Sequence, residues 1–284
     1  NLSWPRQADP GVRDGSFRPH VHHNVRRSQQ AAQPGAYPSP RKAYRNSLMA
    51  LTPFSVGRAC VRAGSWQGRD DLAYLVPLTE AATLTTSTLA DIRDRLRLDG
   101  FSEVVTAAVG PRERDMFTAD GFTAKEQLHL LHHDLQTNLP AIPAKANRIR
   151  RGTRRDYSEV LAIDHATFDE FWQLDQDGLR EAIAATPVSR LRIIRGDDSK
   201  ILGYSISGWA REHGYLQRLA VLTSAQGAGL GEGLVSDTLH WLRRRGANAA
   251  WVNTQEANAS ALRLYERLGF KPAPHRLTVL HRYL

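Results

Sequence analysis

Seven residues, Gln226, Gly227, Ala228, Gly229, Leu230, Gly231 and Glu232, have the types and spacing to hold an anion. They follow an apolar run, Leu216 to Val221, that reads as a strand. They also open a segment from about Gly229 to Arg245 that carries Leu230, Leu234, Val235, Thr238 and Trp241 or Leu242 at a helical period. The first N–H groups of a helix have no partner within it and lie at the positive end of its dipole, so a phosphate placed there is held by backbone alone. Glycines at 227, 229 and 231 let that anion approach closely. An ordinary tight strand-to-helix connection uses the same residue types, and the turn taken alone does not separate the two readings.

The elements that must position the turn continue downstream. Gly246 is a C′ residue for the helix, and Ala249 to Val252 is a second apolar run. Asn253, Thr254, Gln255, Glu256, Ala257 and Asn258 then lead into a short helix from about Ser260 to Leu268, with Ala261, Leu264, Tyr265 and Leu268 on one face. Gly269 stops it, and Phe270 begins a last strand that reaches His281. Upstream, helical patterning covers Tyr157 to Phe171 and Asp177 to Ala185; strands at Leu191 to Ile194 and Ile201 to Trp209 flank the turn Gly196-Asp197-Asp198-Ser199.

A strand ending in Leu219-Ala220-Val221, the QxxGxG turn, and the pattern Asn258...Leu264-Tyr265...Leu268-Gly269-Phe270 together resemble the GNAT superfamily of acyl-CoA-dependent N-acyltransferases. The resemblance is strongest over residues 200 to 275 and extends back to about residue 147. It implies an α/β (α+β) fold, a mixed and mostly antiparallel sheet with splayed central strands and flanking helices, over residues 148–284. It also implies acetyl-CoA as co-substrate, lying between the strands at Leu216 to Val221 and Ala249 to Asn253. Leu219, Ala220 and Val221 would meet the pantetheine arm, the N–H groups from Gly227 to Glu232 its pyrophosphate, and Asn258 the cofactor through its amide. Gln226 would close the turn or bind phosphate. Tyr265 would protonate the departing thiolate, since a phenol of pKa ~10 can donate to a thiolate whose acid lies near ~8.5. For the general base the neighbourhood Glu212-His213-Gly214-Tyr215 offers Glu212 and His213. The structural alternatives are a core aromatic for Tyr265, a helix N-cap for Asn258 and a solvated turn residue for Glu212. Phe168, Phe171 and Trp172 are candidates for an aromatic wall of the acceptor pocket. The acceptor is expected to be a small-molecule amine or a protein N-terminus.

The first part of the chain reads differently. Residues 57–135 carry a strand at Leu72 to Leu78, a helix at Leu89 to Leu98, a strand at Glu103 to Ala108 and then another helix and strand. Aligning Gly121-Phe122 with Gly269-Phe270 pairs Val104-Val105-Thr106 with Val252-Asn253-Thr254 and Phe117 with Tyr265. Element order is kept, so this unit resembles a degenerate GNAT half and the whole chain a tandem arrangement. No glycine stands between Gly68 and Gly100, and Phe117 has no hydroxyl, so its chemistry is expected to be lost. Residues 136–147, with Pro140 and Pro143, read as a linker, followed by the basic run Arg148, Arg150, Arg151, Arg154 and Arg155.

The formal charge of +9 over 284 residues is concentrated in the first 48, where eight Arg and Lys stand against two Asp. That segment is rich in Pro, Gln, Ser and Gly and is expected to be a disordered basic extension. It begins with Asn1, and Met49 is a candidate initiator. A tail that binds nucleic acid is a third-ranked alternative; a GNAT-fold CoA-binding module without transfer activity ranks above it. His20, His22 and His23 lack a scaffold that would fix metal geometry, so no metal is expected. The single Cys60 cannot form an intramolecular disulfide, and no run has the length of a membrane span; a cytoplasmic location is the expectation.

Overall fold

The computed structural model describes residues 51–144 and 148–284. The basic extension and its histidines lie outside the described residues, as does the end of the linker. The elements run β1 (Thr52–Val56), β2 (Ala59–Trp66), β3 (Arg69–Pro77), α1 (Thr86–Leu98), β4 (Glu103–Thr106), α2 (Pro111–Ala119), β5 (Thr123–Asp134), β6 (Ile149–Arg151), α3 (Tyr157–Thr167), α4 (Gln176–Ala184), β7 (Val188–Arg195), β8 (Ile201–Ala210), β9 (His213–Val221), α5 (Leu230–Arg244), β10 (Ala249–Gln255), α6 (Ala259–Arg267), β11 (Lys271–Pro272) and β12 (Leu277–Tyr283). The hairpin of β1 and β2 had no counterpart in the sequence reading, and the last strand is interrupted between Pro272 and Leu277.

The described residues build one twelve-stranded sheet in the order β1-β2-β3-β4-β12-β5-β10-β9-β8-β7-β6, with β11 also on β5. This order shows an exchange. β12, the last strand of the second half, lies between β4 and β5 of the first. β5, the last strand of the first half, lies between β12 and β10 of the second. Each half therefore receives its closing strand from the other, and the two sheets become one.

The internal repeat is visible in the caps that precede the exchanged strands. Gly121 (φ 82°) follows α2 and Gly269 (φ 88°) follows α6, each in the left-handed region that glycine enters without steric cost. The next residue turns back in both, Phe122 N–H donating to Phe117 O and Phe270 N–H to Tyr265 O, each at 3.0 Å. The ring pairs repeat as well, with Phe117 and Phe122 centroids 4.9 Å apart and Tyr265 and Phe270 5.6 Å apart.

Candidate functional site

β9 and β10 run parallel and pair only through Ala249–Trp251 with His213–Tyr215. Beyond that the strands part, and the wedge opens into a cleft lined by Leu216, Gln217, Arg218, Leu219, Val252, Asn253, Thr254, Gln255, Asn258 and Tyr265, with Phe168 and Trp172 above. A β-bulge starts the parting: Ile206 opposes Arg218 and Ser207 opposes Leu216, so Gln217 is the extra residue that bends β9. Past the bulge β9 keeps β8 on one side. Leu222 N–H donates to Leu202 O at 2.9 Å, so by the two-residue alternation of an antiparallel ladder Ala220 also turns its backbone groups to β8. Leu219 and Val221 then present theirs to the open edge.

The glycine turn sits where this edge ends. Gly227 (φ 76°) and Gly229 (φ 82°) occupy the left-handed region, and a Cβ on either would meet nothing within 4 Å, so the space before them is open. Gly229 caps α5 without a side-chain acceptor, and among the described residues the N–H groups from Gly227 to Glu232 have no backbone partner. Gly231 serves a different need, because a Cβ there would stand 3.3 Å from Leu264 Cδ2 of α6. Leu230 is in the core, as its place in the helical period requires. Ala228 and Glu232 lie within the turn and first helical residues. Gln226 closes the turn: its Nε2 donates to Val221 O at 3.1 Å.

Tyr265 projects from α6 to the floor of the wedge, 4% exposed, and burial alone raises its pKa. The neutral phenol is thereby favoured, the form that can give up a proton. Asn258 lines the cleft and also caps α6, its Oδ1 accepting from Ala261 N–H at 3.1 Å. The structure does not bring Glu212 to these residues. It is exposed in the hairpin at the far end of β9, where its carboxylate accepts from Asn248 Nδ2 at 3.4 Å and its carbonyl from Asn248 N–H at 2.8 Å. It stands on the paired side of β9, four residues before Leu216, where the wedge lining begins.

The sequence reading missed a buried network beside the cleft. Asp164 of α3, 0% exposed, accepts from Arg218 Nε and Nη2 at 2.9 Å each, from Leu174 N–H at 2.7 Å and from the Tyr204 hydroxyl. Arg218 also donates to Trp172 O at 2.6 Å and stacks 3.6 Å from the Phe168 ring centroid. A charge so buried is tolerable only with its partners in place. The network fixes the loop carrying Phe168 and Trp172 over the wedge. Phe171 turns away from the lining and stacks on Trp66 of β2, 5.3 Å between centroids. The side-chain amide of Gln217 is buried at the lining with no partner among the described residues.

Arg148 pairs with Asp197 at 2.5 Å and the rest of the basic run lies in or after β6, the far edge of the sheet. Cys60 is half-buried in β2. Among the described residues no group of three or more His, Cys, Asp or Glu could hold a metal ion, and no helix is long and apolar enough to cross a membrane.

The family model "Acetyltransferase (GNAT) family" matches residues 157–270. The mycothiol acetyltransferase of Rhodococcus jostii (strain RHA1) is 30% identical over 169 residues, 52% of this chain and 53% of that protein. The mycothiol acetyltransferase of Mycobacteroides abscessus is 30% identical over 179 residues, 57% and 58% respectively. The aligned region spans little more than half the length of these relatives. Among solved structures, a tandem GNAT protein from the clavulanic acid biosynthesis pathway superposes with a TM-score of 0.60 at 13% identity, covering 79% of this chain and 78% of that one. A GCN5-related N-acetyltransferase from Kribbella flavida gives 0.56 at 16%, covering 85% and 92%. At such identities the structures establish a shared fold.

Proposed function

We propose that this chain, whose residues 157–270 match the GNAT acetyltransferase family model, is an acetyl-CoA-dependent N-acetyltransferase acting by direct attack of a primary amine in a ternary complex. One observation carries the reading: the unpaired N–H groups of Gly227 to Glu232 stand at the end of an open strand edge whose wedge holds Tyr265. When bound, acetyl-CoA supplies the acetyl thioester. The turn holds the pyrophosphate through backbone donors and the dipole of α5. The open-edge backbone groups of Leu219 and the N–H of Val221, whose carbonyl is already held by Gln226, pair with the pantetheine amides as an added strand would. An N–H of the same edge stabilises charge on the thioester oxygen, and Tyr265 protonates the departing thiolate. The relatives named mycothiol acetyltransferases favour a small-molecule acceptor over a protein N-terminus. A cytoplasmic location belongs to the same proposal.

A second reading, a CoA-binding module without transfer activity, is favoured by one feature: the residues lining the cleft include no His, Asp or Glu. Thiol release and thermal shift separate the two. Acetyl-CoA at 100 times its dissociation constant is expected to stabilise the fold by about 2.7 kcal/mol. Free thiol should then appear with at least one member of a panel of primary amines. A shift without thiol release selects the second reading; no shift overturns both.

A further inference from the structure

The acetyl-transfer reading leaves the amine without a counter-charge. Acceptor amines are ammonium ions at neutral pH, and a cleft that takes one from water needs an acceptor of its hydrogen bonds. Asp164 is the nearby acid of the second half, and it is fully engaged by Arg218, Tyr204 and the Leu174 N–H. The exchanged strand supplies another. On β5, Leu128 opposes Gln255 of β10, so both side chains stand on the face of the sheet that carries Phe168 and Trp172. Glu126 is two residues before Leu128 and shares that face. It is half-buried, and its Oε2 accepts from Gln255 Nε2 at 3.3 Å.

Among the described residues no Lys, Arg or His pairs with Glu126. Its neighbours are accounted for elsewhere: Lys125 lies 4.1 Å from the Phe171 ring centroid, and Arg276 pairs with Glu256. A half-buried carboxylate held by one neutral amide, next to a cleft lined by that amide, has hydrogen-bonding capacity to spare for a cation.

We infer that Glu126, contributed by the first half of the chain, receives the acceptor's ammonium group at the mouth of the wedge, with Gln255 positioning it. The degenerate half would thus supply the acceptor-binding charge that the second half lacks. This inference rests on the acetyl-transfer reading and adds to it a requirement for a cationic acceptor.

The test uses the full chain, acetyl-CoA and the panel amine turned over fastest by the native protein. Glu126→Gln keeps shape and removes charge; it is expected to raise KM for the amine at least tenfold while leaving the CoA dissociation constant, measured by calorimetry, within twofold. Glu126→Asp should recover part of that loss, and Gln255→Leu should raise the amine KM by a smaller factor, about two- to fivefold. An amine KM within twofold of native in Glu126→Gln, with CoA still bound, overturns the role of Glu126 and leaves acetyl transfer standing. Failure of the native protein to bind acetyl-CoA or release thiol overturns the acetyl-transfer reading, and this inference with it.

Discussion

The two halves of this molecule present the same junction in opposite states. In the second, β9 and β10 pair over three residues and part; in the first, β3 and β4 stay paired from Leu72–Glu103 to Leu75–Thr106, and Ala107 N–H extends the ladder to Leu75 O at 2.8 Å. In the second, the helix after the wedge starts at a left-handed glycine with free N–H groups; in the first, Thr85 caps α1 and its Oγ1 accepts from Thr88 N–H at 3.2 Å. On the proposed reading, the difference teaches that a cofactor site resides not in the elements, which both halves have, but in an unpaired strand edge that points at an uncapped helix.

The largest effect is expected from filling the uncapped end. Gly229→Trp should lower CoA affinity at least 100-fold by calorimetry, because its side chain occupies the open space before the turn. Leaving φ > 0 without glycine costs only ~1–2 kcal/mol, so the fold should survive. Calorimetry on the native protein should also give one CoA per chain. A second bound equivalent, or CoA binding retained in Gly229→Trp, would break the comparison, since either requires the closed junction to bind.

Next in size is the tyrosine. Tyr265→Phe should reduce kcat roughly 100-fold with CoA affinity unchanged, at the lower end of what general acid catalysis contributes. Because burial raises its pKa, the phenol keeps its proton as pH climbs towards ~10, so the kcat profile between pH 8 and 10 should not carry its ionisation. The reciprocal change, Phe117→Tyr, puts a hydroxyl into a fully buried site and should cost about 1–3 kcal/mol of stability by urea denaturation without adding activity. Equal loss of binding and turnover in Tyr265→Phe would contradict its assigned role.

What could be read from the residues follows from the range of the interactions. The glycine turn, the helix faces and the Gly-Phe caps are local, and each is written within a few residues. The strand exchange is not: β12 meets β4 across a separation of 178 residues, and the residues of a strand record an alternation of faces without recording a neighbour. The network of Asp164, Tyr204 and Arg218 joins positions 40 and 54 residues apart, so none of the three stood out alone. Glu126 was invisible for the same reason. Glu212 shows the converse, a plausible residue type beside the right strand but at its wrong end.

A smaller effect separates the two caps. Thr85→Ala and Asn258→Ala each remove a side-chain acceptor from a helix N-terminus and should each cost about 1 kcal/mol in urea denaturation. Only Asn258→Ala should also weaken CoA binding, by a few-fold, because Asn258 lines the cleft while Thr85 faces a closed junction. If both variants leave CoA affinity unchanged, Asn258 is a cap and nothing more.

The smallest effect tests the exchanged strands themselves. His133 of β5 and His281 of β12 lie on the two exchanged strands, 148 residues apart as are Phe122 and Phe270. Their surroundings differ: His281 Nε2 lies 2.7 Å from Glu103 Oε2, whereas His133 is 3% exposed, edge-on to Phe270, and burial lowers its pKa. A depressed folded-state pKa contributes stability above the unfolded value, ~6.5, and that contribution is lost as pH falls below it, because only the unfolded chain takes the proton readily. The urea midpoint should therefore fall between pH 7.5 and 5.5, and His133→Gln should flatten that slope. An unchanged slope in His133→Gln would mean that the ring is not held neutral against the Tyr265–Phe270 pair. Burial of β5 in the second half's core would then be looser than this packing requires.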